Sequence, residues 1–189
     1  MAASLEHTVL PAPVFDKPVK VLIVVSPYYS DIASGLLTGA KAALEAAGAT
    51  YDVVEMPGAL EIPTAIGISD RRSNFDGYVA LGCVIRGETT HYETVCNDSS
   101  RALQLLGLEG LCIGNGILTV ENKHQADVRA DPDGQNKGGG AALAALHLVA
   151  LGRKWATSSK GIGFKPRGED TLMAGDFAEN TDMDGNTTA

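Results

Sequence analysis

The stretch VKVLIVV, residues 19–25, is apart from Lys20 a continuous run of mostly β-branched apolar side chains. A strand that alternates apolar and polar residues can face water on one side, but a run like this one has to be covered on both faces. Few architectures meet that requirement, and the rest of the chain narrows them. DIASGLLTGAKAALEAAG (31–48) sets Ile32, Leu36, Leu37, Ala40 and Leu44 on one helical face and closes on Gly48, as an amphipathic helix with a glycine cap does. TYDVVEM (50–56) reads as a strand and GALEIPTAIGISDRRS (58–73) as a helix with Pro63 in its first turn. GYVALGCVI (77–85) is a strand and HYETVCNDSSRALQLLG (91–107) a helix. GLCIGNGIL (110–118) is the fourth strand, followed by a short helix over 120–130, the turn DPDGQNKGG and a final helix over 140–155. Strand and helix alternate four times, which predicts an α/β fold with a parallel sheet and right-handed crossovers.

The flanks differ from this core. Residues 1–18 are rich in Pro and small side chains and read as an extended arm, leaving 19–155 as the domain. Residues 156–189 carry much Gly, Asp and Thr without apolar period, the composition of a disordered tail. A formal charge of −8 argues against broad binding to nucleic acid or an anionic membrane, so any anionic ligand needs a local site. The N-terminus shows no secretory pattern, and no apolar run is long enough to span a bilayer. Cys83, Cys96 and Cys112 are odd in number and set in apolar contexts, and His7, His91, His124 and His147 form no metal-binding pair. Reduced thiols in a metal-free cytoplasmic protein are the expectation.

In an open parallel sheet, ligands bind beyond the carboxyl ends of the strands. The segments there are SPYYSD (26–31), MPGALEIP (56–63), RGETTHYE (86–93) and the stretch from Asn115 to Thr119. Together they offer aromatic surface, a carboxylate, an arginine, a histidine and exposed amides, which suits a planar, polar, partly anionic small molecule. Thr90 and Glu93 match the T-x-x-E capping box, and for them the capping role is preferred. One of Tyr28 and Tyr29 is expected to roof the core. Glu61 also fits as a first-turn carboxylate. Arg86 has no sharper role than a loop or interface ion pair. His91 opens a helix, where the dipole disfavours imidazolium and favours a neutral general base. Arg129 and Lys137 flank the turn before the last helix. Phosphate binding there and simple close packing through Gly138, Gly139 and Gly140 are evenly matched.

PGALEIP (57–63), LGCVIRGETTHYETVCN (81–97), GNGILTVEN (114–122) and NKGG (136–139) resemble, in order and spacing, the 6,7-dimethyl-8-ribityllumazine synthases of riboflavin biosynthesis. The resemblance covers roughly residues 19–155. It implies a flavodoxin-like three-layer α/β/α fold on a four-stranded parallel sheet. It further implies a homopentamer, or multiples of it, whose arms reach a neighbouring subunit and whose active sites lie between subunits. The implied reaction joins 5-amino-6-(D-ribitylamino)uracil to 3,4-dihydroxy-2-butanone 4-phosphate without cofactor or metal. By the same resemblance Tyr28 stacks on the pyrimidine, and Glu61 with the backbone of Ala59 and Leu60 holds the ribityl chain. Cys83, Val84 and Ile85 border the substrate, and Glu88 and Thr89 receive the phosphate. Arg129 binds the phosphate from the adjacent subunit, Lys137 is a further substrate-binding residue, and His91 transfers protons. Asn115 stands where many members place a phenylalanine, Asp133 where some have a lysine, and Gly140 where some have an acidic residue.

Two other readings compete. A flavodoxin-like electron carrier needs a Ser/Thr/Gly-rich phosphate loop after the first strand, which SPYYSD is not. A non-catalytic lumazine- or flavin-binding relative, or one that only builds a shell, is opposed by the intact His91 and Arg129.

Overall fold

The computed structural model describes residues 10–156. Apart from Ala156, the tail expected to be disordered lies outside the described residues. Nine elements follow in order: β1 (Lys20–Val25), α1 (Ser30–Ala46), β2 (Thr50–Glu55), α2 (Glu61–Arg72), β3 (Gly77–Ile85), α3 (His91–Leu108), β4 (Ile113–Val120), α4 (Lys123–Ala130) and α5 (Lys137–Ala156). The four strands pair in parallel in the order β2-β1-β3-β4. Val21 stands opposite Tyr51 on one side and Gly77 on the other, and Tyr78 stands opposite Ile113.

Alternation along the strands sorts the core into two layers, one on each face of the sheet. Val21, Ile23, Val25, Val79 and Leu81 bury against Leu36, Leu44, Ala142 and Leu146 of α1 and α5. Leu22, Val24, Tyr78 and Ala80 bury against Ile62, Ile66 and Leu103 of α2 and α3. Both faces of β1 are therefore covered, as its apolar run requires, and the fold is the expected three-layer α/β arrangement. Gly48, just past α1, takes the left-handed φ of 69° expected of a helix-ending glycine.

Four elements have boundaries that differ from the sequence reading. α2 starts at Glu61 rather than 58, because residues 57–60 turn from the end of β2. β4 runs from Ile113 to Val120 rather than 110–118, since Gly110, at φ 105°, belongs to the turn leaving α3. α4 shifts with it and is capped by Asn122, whose side chain accepts from the Gln125 N–H. α5 starts at Lys137, not Gly140. Its poor helix formers are required by packing: a Cβ on Gly138 would lie 2.0 Å from the Leu36 carbonyl oxygen of α1. Opposite, a Cβ on Gly114 of β4 would lie 1.8 Å from the Ala141 carbonyl oxygen of α5.

Candidate active site

β1 feeds α1 on one face of the sheet and β3 feeds α3 on the other, so the loops leaving these neighbouring strands diverge. A crevice at such a switch point is where open α/β sheets hold ligands. Here it is a depression of ≈ 370 Å³ walled by three loops. Ser26, Tyr28 and Tyr29 come from the loop after β1, and Gly58, Ala59, Leu60 and Glu61 from the loop after β2. Cys83, Val84 and Ile85 end β3, and Gly87, Thr89, His91 and Tyr92 follow them. Nine of the residues expected at a site therefore share one crevice. Glu88 is exposed and is not part of its wall.

The two tyrosines divide their work. Tyr29 packs against the core, while Tyr28 is 73% exposed and meets the Tyr29 ring edge-on at 5.0 Å. Burial, then the neighbouring Tyr28, pushes the Tyr29 hydroxyl pKa upward. Ser26 was not singled out in the sequence, yet it is buried, and its hydroxyl donates to the Pro57 carbonyl at 3.5 Å, joining the first two loops. Glu61 is the first residue of α2, and a Cβ on Gly58 would come within 2.7 Å of its Oε2, so the turn closes tightly over the carboxylate. The Cys83 thiol is pushed up to about 11, first by burial and then by Asp127 and Cys96. It is therefore a neutral wall group at neutral pH.

His91 is exposed and opens α3, with its backbone N–H donating to Thr89 Oγ1 at 3.4 Å. The capping box does not form. Thr90 occupies the N-cap position with helical backbone angles (φ −70°, ψ 0°) and makes no side-chain cap bond. An N-cap hydroxyl reaches the first-turn amides from extended backbone, which Thr90 lacks. Glu93 turns instead to Arg86, whose Nη1 donates to Glu93 Oε1. Arg86 Nε also donates to Glu121 Oε2 at 2.7 Å, and its guanidinium carbon lies 4.1 Å from the Tyr92 ring centre. Hydrogen bonds from Arg86 hold the Glu93 carboxyl below its ordinary pKa.

Asn115, Arg129 and Lys137 meet elsewhere, lining a second, more open depression of ≈ 440 Å³ with Thr119 and Gly140. Arg129 is half-buried, its Nη1 donating to the Gln125 carbonyl one turn back at 3.0 Å. The Asn115 side chain accepts from the Ile117 N–H at 2.9 Å. At the start of α5, Asn136 adopts φ 45° and its Oδ1 accepts from the Gly139 N–H at 3.0 Å. Gly138 and Gly139 thus serve close packing and the cap, while the two cations still share one depression. Within one chain the histidine crevice and the basic depression are lined by separate sets of residues.

A three-layer α/β protein with an aromatic, acidic and histidine-bearing crevice at its switch point has the site architecture of a small-molecule enzyme. The sequence model of the 6,7-dimethyl-8-ribityllumazine synthases matches residues 18–153, and the chain belongs to that family. Curated relatives of that name agree along most of their length. The protein from Jannaschia sp. (strain CCS1) is 58% identical over 163 residues, covering 86% of this chain and 92% of the relative. That of Novosphingobium aromaticivorans is 53% identical over 137 residues, covering 72% and 99%. That of Bartonella henselae is 56% identical over 142 residues, covering 74% and 92%.

Proposed function

We propose that the chain condenses 5-amino-6-(D-ribitylamino)uracil with 3,4-dihydroxy-2-butanone 4-phosphate to give 6,7-dimethyl-8-ribityllumazine, phosphate and water. The observation that carries this reading is the convergence of Tyr28, Glu61, Thr89 and His91 on one crevice in a member of this family. The exposed Tyr28 ring stacks on the pyrimidine, and Glu61 with the backbone of Ala59 and Leu60 holds the ribityl hydroxyls. Cys83, Val84 and Ile85 border the ring, and the Glu88 backbone with the Thr89 hydroxyl receives the phosphate. The substrate amine attacks the ketone and water leaves to form an imine. Phosphate departs, and ring closure releases a second water. Each step moves a proton, and His91 is the group placed to shuttle it. Only protons, water and phosphate are exchanged, so the scheme calls for no cofactor or metal.

Arg129 and Lys137 lie in the other depression with Asn115. The separation supports an active site completed between copies of the chain, in a pentamer or a multiple of pentamers. There the neighbour's cations meet the phosphate held by Thr89, and its Asn115 faces the ring. Residues 1–18 serve as the arm of that assembly and 19–155 as its domain. Free thiols at all three cysteines fit a cytoplasmic setting.

The test is to mix the purified protein with both substrates and follow the fluorescent lumazine. Folded, assembled protein that gives no product would sink the proposal. His91→Ala is expected to lower kcat by roughly 10²-fold or more. Arg129→Ala is expected to raise KM mainly for the phosphate substrate, and an equal loss for both substrates would contradict its assignment.

A further inference from the structure

We propose that Arg86 is a positioning residue that holds the start of α3, and with it His91, against the crevice. The inference rests on the proton-transfer reading of His91. Three elements meet at this one guanidinium. Arg86 follows β3 directly, and its own N–H donates to the Val120 carbonyl at the end of β4 at 2.9 Å. Its side chain then spans two carboxylates: Glu93 in the first turn of α3 and Glu121 just past β4. Beneath it lies the ring of Tyr92, which also walls the crevice beside His91.

Beyond the Glu93 and Thr94 N–H groups, which donate to the Thr90 carbonyl at 3.1 and 3.4 Å, side-chain capping of that turn is weak. Thr90 provides no cap, and the Thr89 contact is long at 3.4 Å. Gly87, in the intervening loop, has open space around it. The start of the helix carrying the histidine would therefore swing about β3 without the clamp. Glu121 extends the link, because its N–H donates to Gln125 Oε1 at 3.0 Å, and the Gln125 carbonyl accepts from Arg129. One arginine thus ties the histidine helix to the helix bearing the anion-site arginine.

Stability does not explain the arrangement. Arg86, Glu93 and Glu121 side chains are 39%, 47% and 56% exposed, and exposed ion pairs contribute little to folding. A planar guanidinium holds its donors in one rigid plane toward two carboxylates while its face stacks on a ring, a geometry that a lysine ammonium does not fix. Displacing a catalytic group by about 1 Å can cost roughly 10²-fold in rate.

The test is a cycle of Arg86→Ala and His91→Ala, with kcat, both KM values and assembly state measured for each protein. Expected is a fall in kcat of about tenfold or more for Arg86→Ala, both KM values within about threefold, and the assembly unchanged. In the His91→Ala background the same substitution is expected to change kcat less than about twofold, because the group it positions is gone. Arg86→Lys is expected to recover little. Equal losses in both backgrounds would overturn the inference, as would an Arg86→Ala protein of unchanged kcat. Should Arg86→Ala fail to assemble, Glu93→Ala cuts the α3 arm alone and is expected to show the same dependence on His91. An unaltered kcat there would count equally against the clamp. If His91→Ala itself keeps the full rate, the proton-transfer reading falls, whatever Arg86 does.

Discussion

At Cys83 a single side chain reports both the core and the site. It ends the buried part of β3 and borders the crevice, and burial pushes its thiol up to about 11. In the unfolded chain the thiol ionises nearer its ordinary value, so above that value the unfolded state sheds a proton that the folded state keeps. Stability linked to Cys83 is therefore fully present below about pH 9 and is lost as pH rises toward 11. Two pH units would correspond to about 2.7 kcal/mol for a fully enclosed thiol. Solvent at the crevice screens that to on the order of 1 kcal/mol. Tyr78, pushed up to about 12 by burial and then by Asp70, acts in the same direction at higher pH. Urea midpoints at pH 8 and pH 10.5 check this, and Cys83→Val is expected to flatten the decline. The same scale shows where sequence reading failed. Thr90 and Glu93 fit a local capping template, but the stronger partner of Glu93 is an arginine seven residues away in sequence, itself bonded to Glu121 thirty-five away. Nothing within one helix turn carries that information, so Arg86 read as a loop or interface ion pair without named partners.

At the scale of elements, the buried runs and helical periods were enough to read the class of fold, because a strand covered on both faces leaves few choices. VKVLIVV and GYVALGCVI are β1 and β3, the two central strands. Boundaries were less legible where packing overrides propensity. The glycines at the start of α5 argue against helix by intrinsic preference, yet the helix includes them, and at Gly138 α1 approaches too closely for a side chain. Glycines two residues apart should therefore respond oppositely to the same change. Gly138→Ala drives a methyl into the Leu36 backbone and is expected to destabilise by about 1–3 kcal/mol, lowering the melting temperature by several degrees. Gly140→Ala, two residues on, meets open space. It is expected to be neutral or to stabilise by about 0.5–1 kcal/mol, because alanine is the better helix former. Thermal and urea unfolding of the two variants under one buffer decide it; equal destabilisation would mean that α5 is not seated as described.

For the whole molecule, the site residues were legible as chemistry before they were legible as places. Tyr28, Glu61, Thr89 and His91 follow strands and Cys83 lies near the end of one, so the rule for parallel sheets gathers them without coordinates. Arg129 lies in the last turn of α4 and Lys137 opens α5, both beyond β4, and their depression is not the histidine crevice. If the proposed site draws the crevice from one copy and the cations from its neighbour, the two halves can be damaged in different chains. His91→Ala subunits retain an intact cation half, and Arg129→Ala subunits retain an intact histidine half. Each variant alone carries one defect in every site. After unfolding together at equal amounts and refolding, random order around a ring pairs two intact halves at roughly a quarter of interfaces. Activity is therefore expected to rise from the low level of either variant to about a quarter of the unmodified rate. The measure is lumazine formation per subunit, with separately refolded variants mixed afterwards as the control. A site built within one chain would give no such recovery, because each chain would carry its own defect into every assembly. The experiment thus separates a shared site from a self-contained one without locating either by structure.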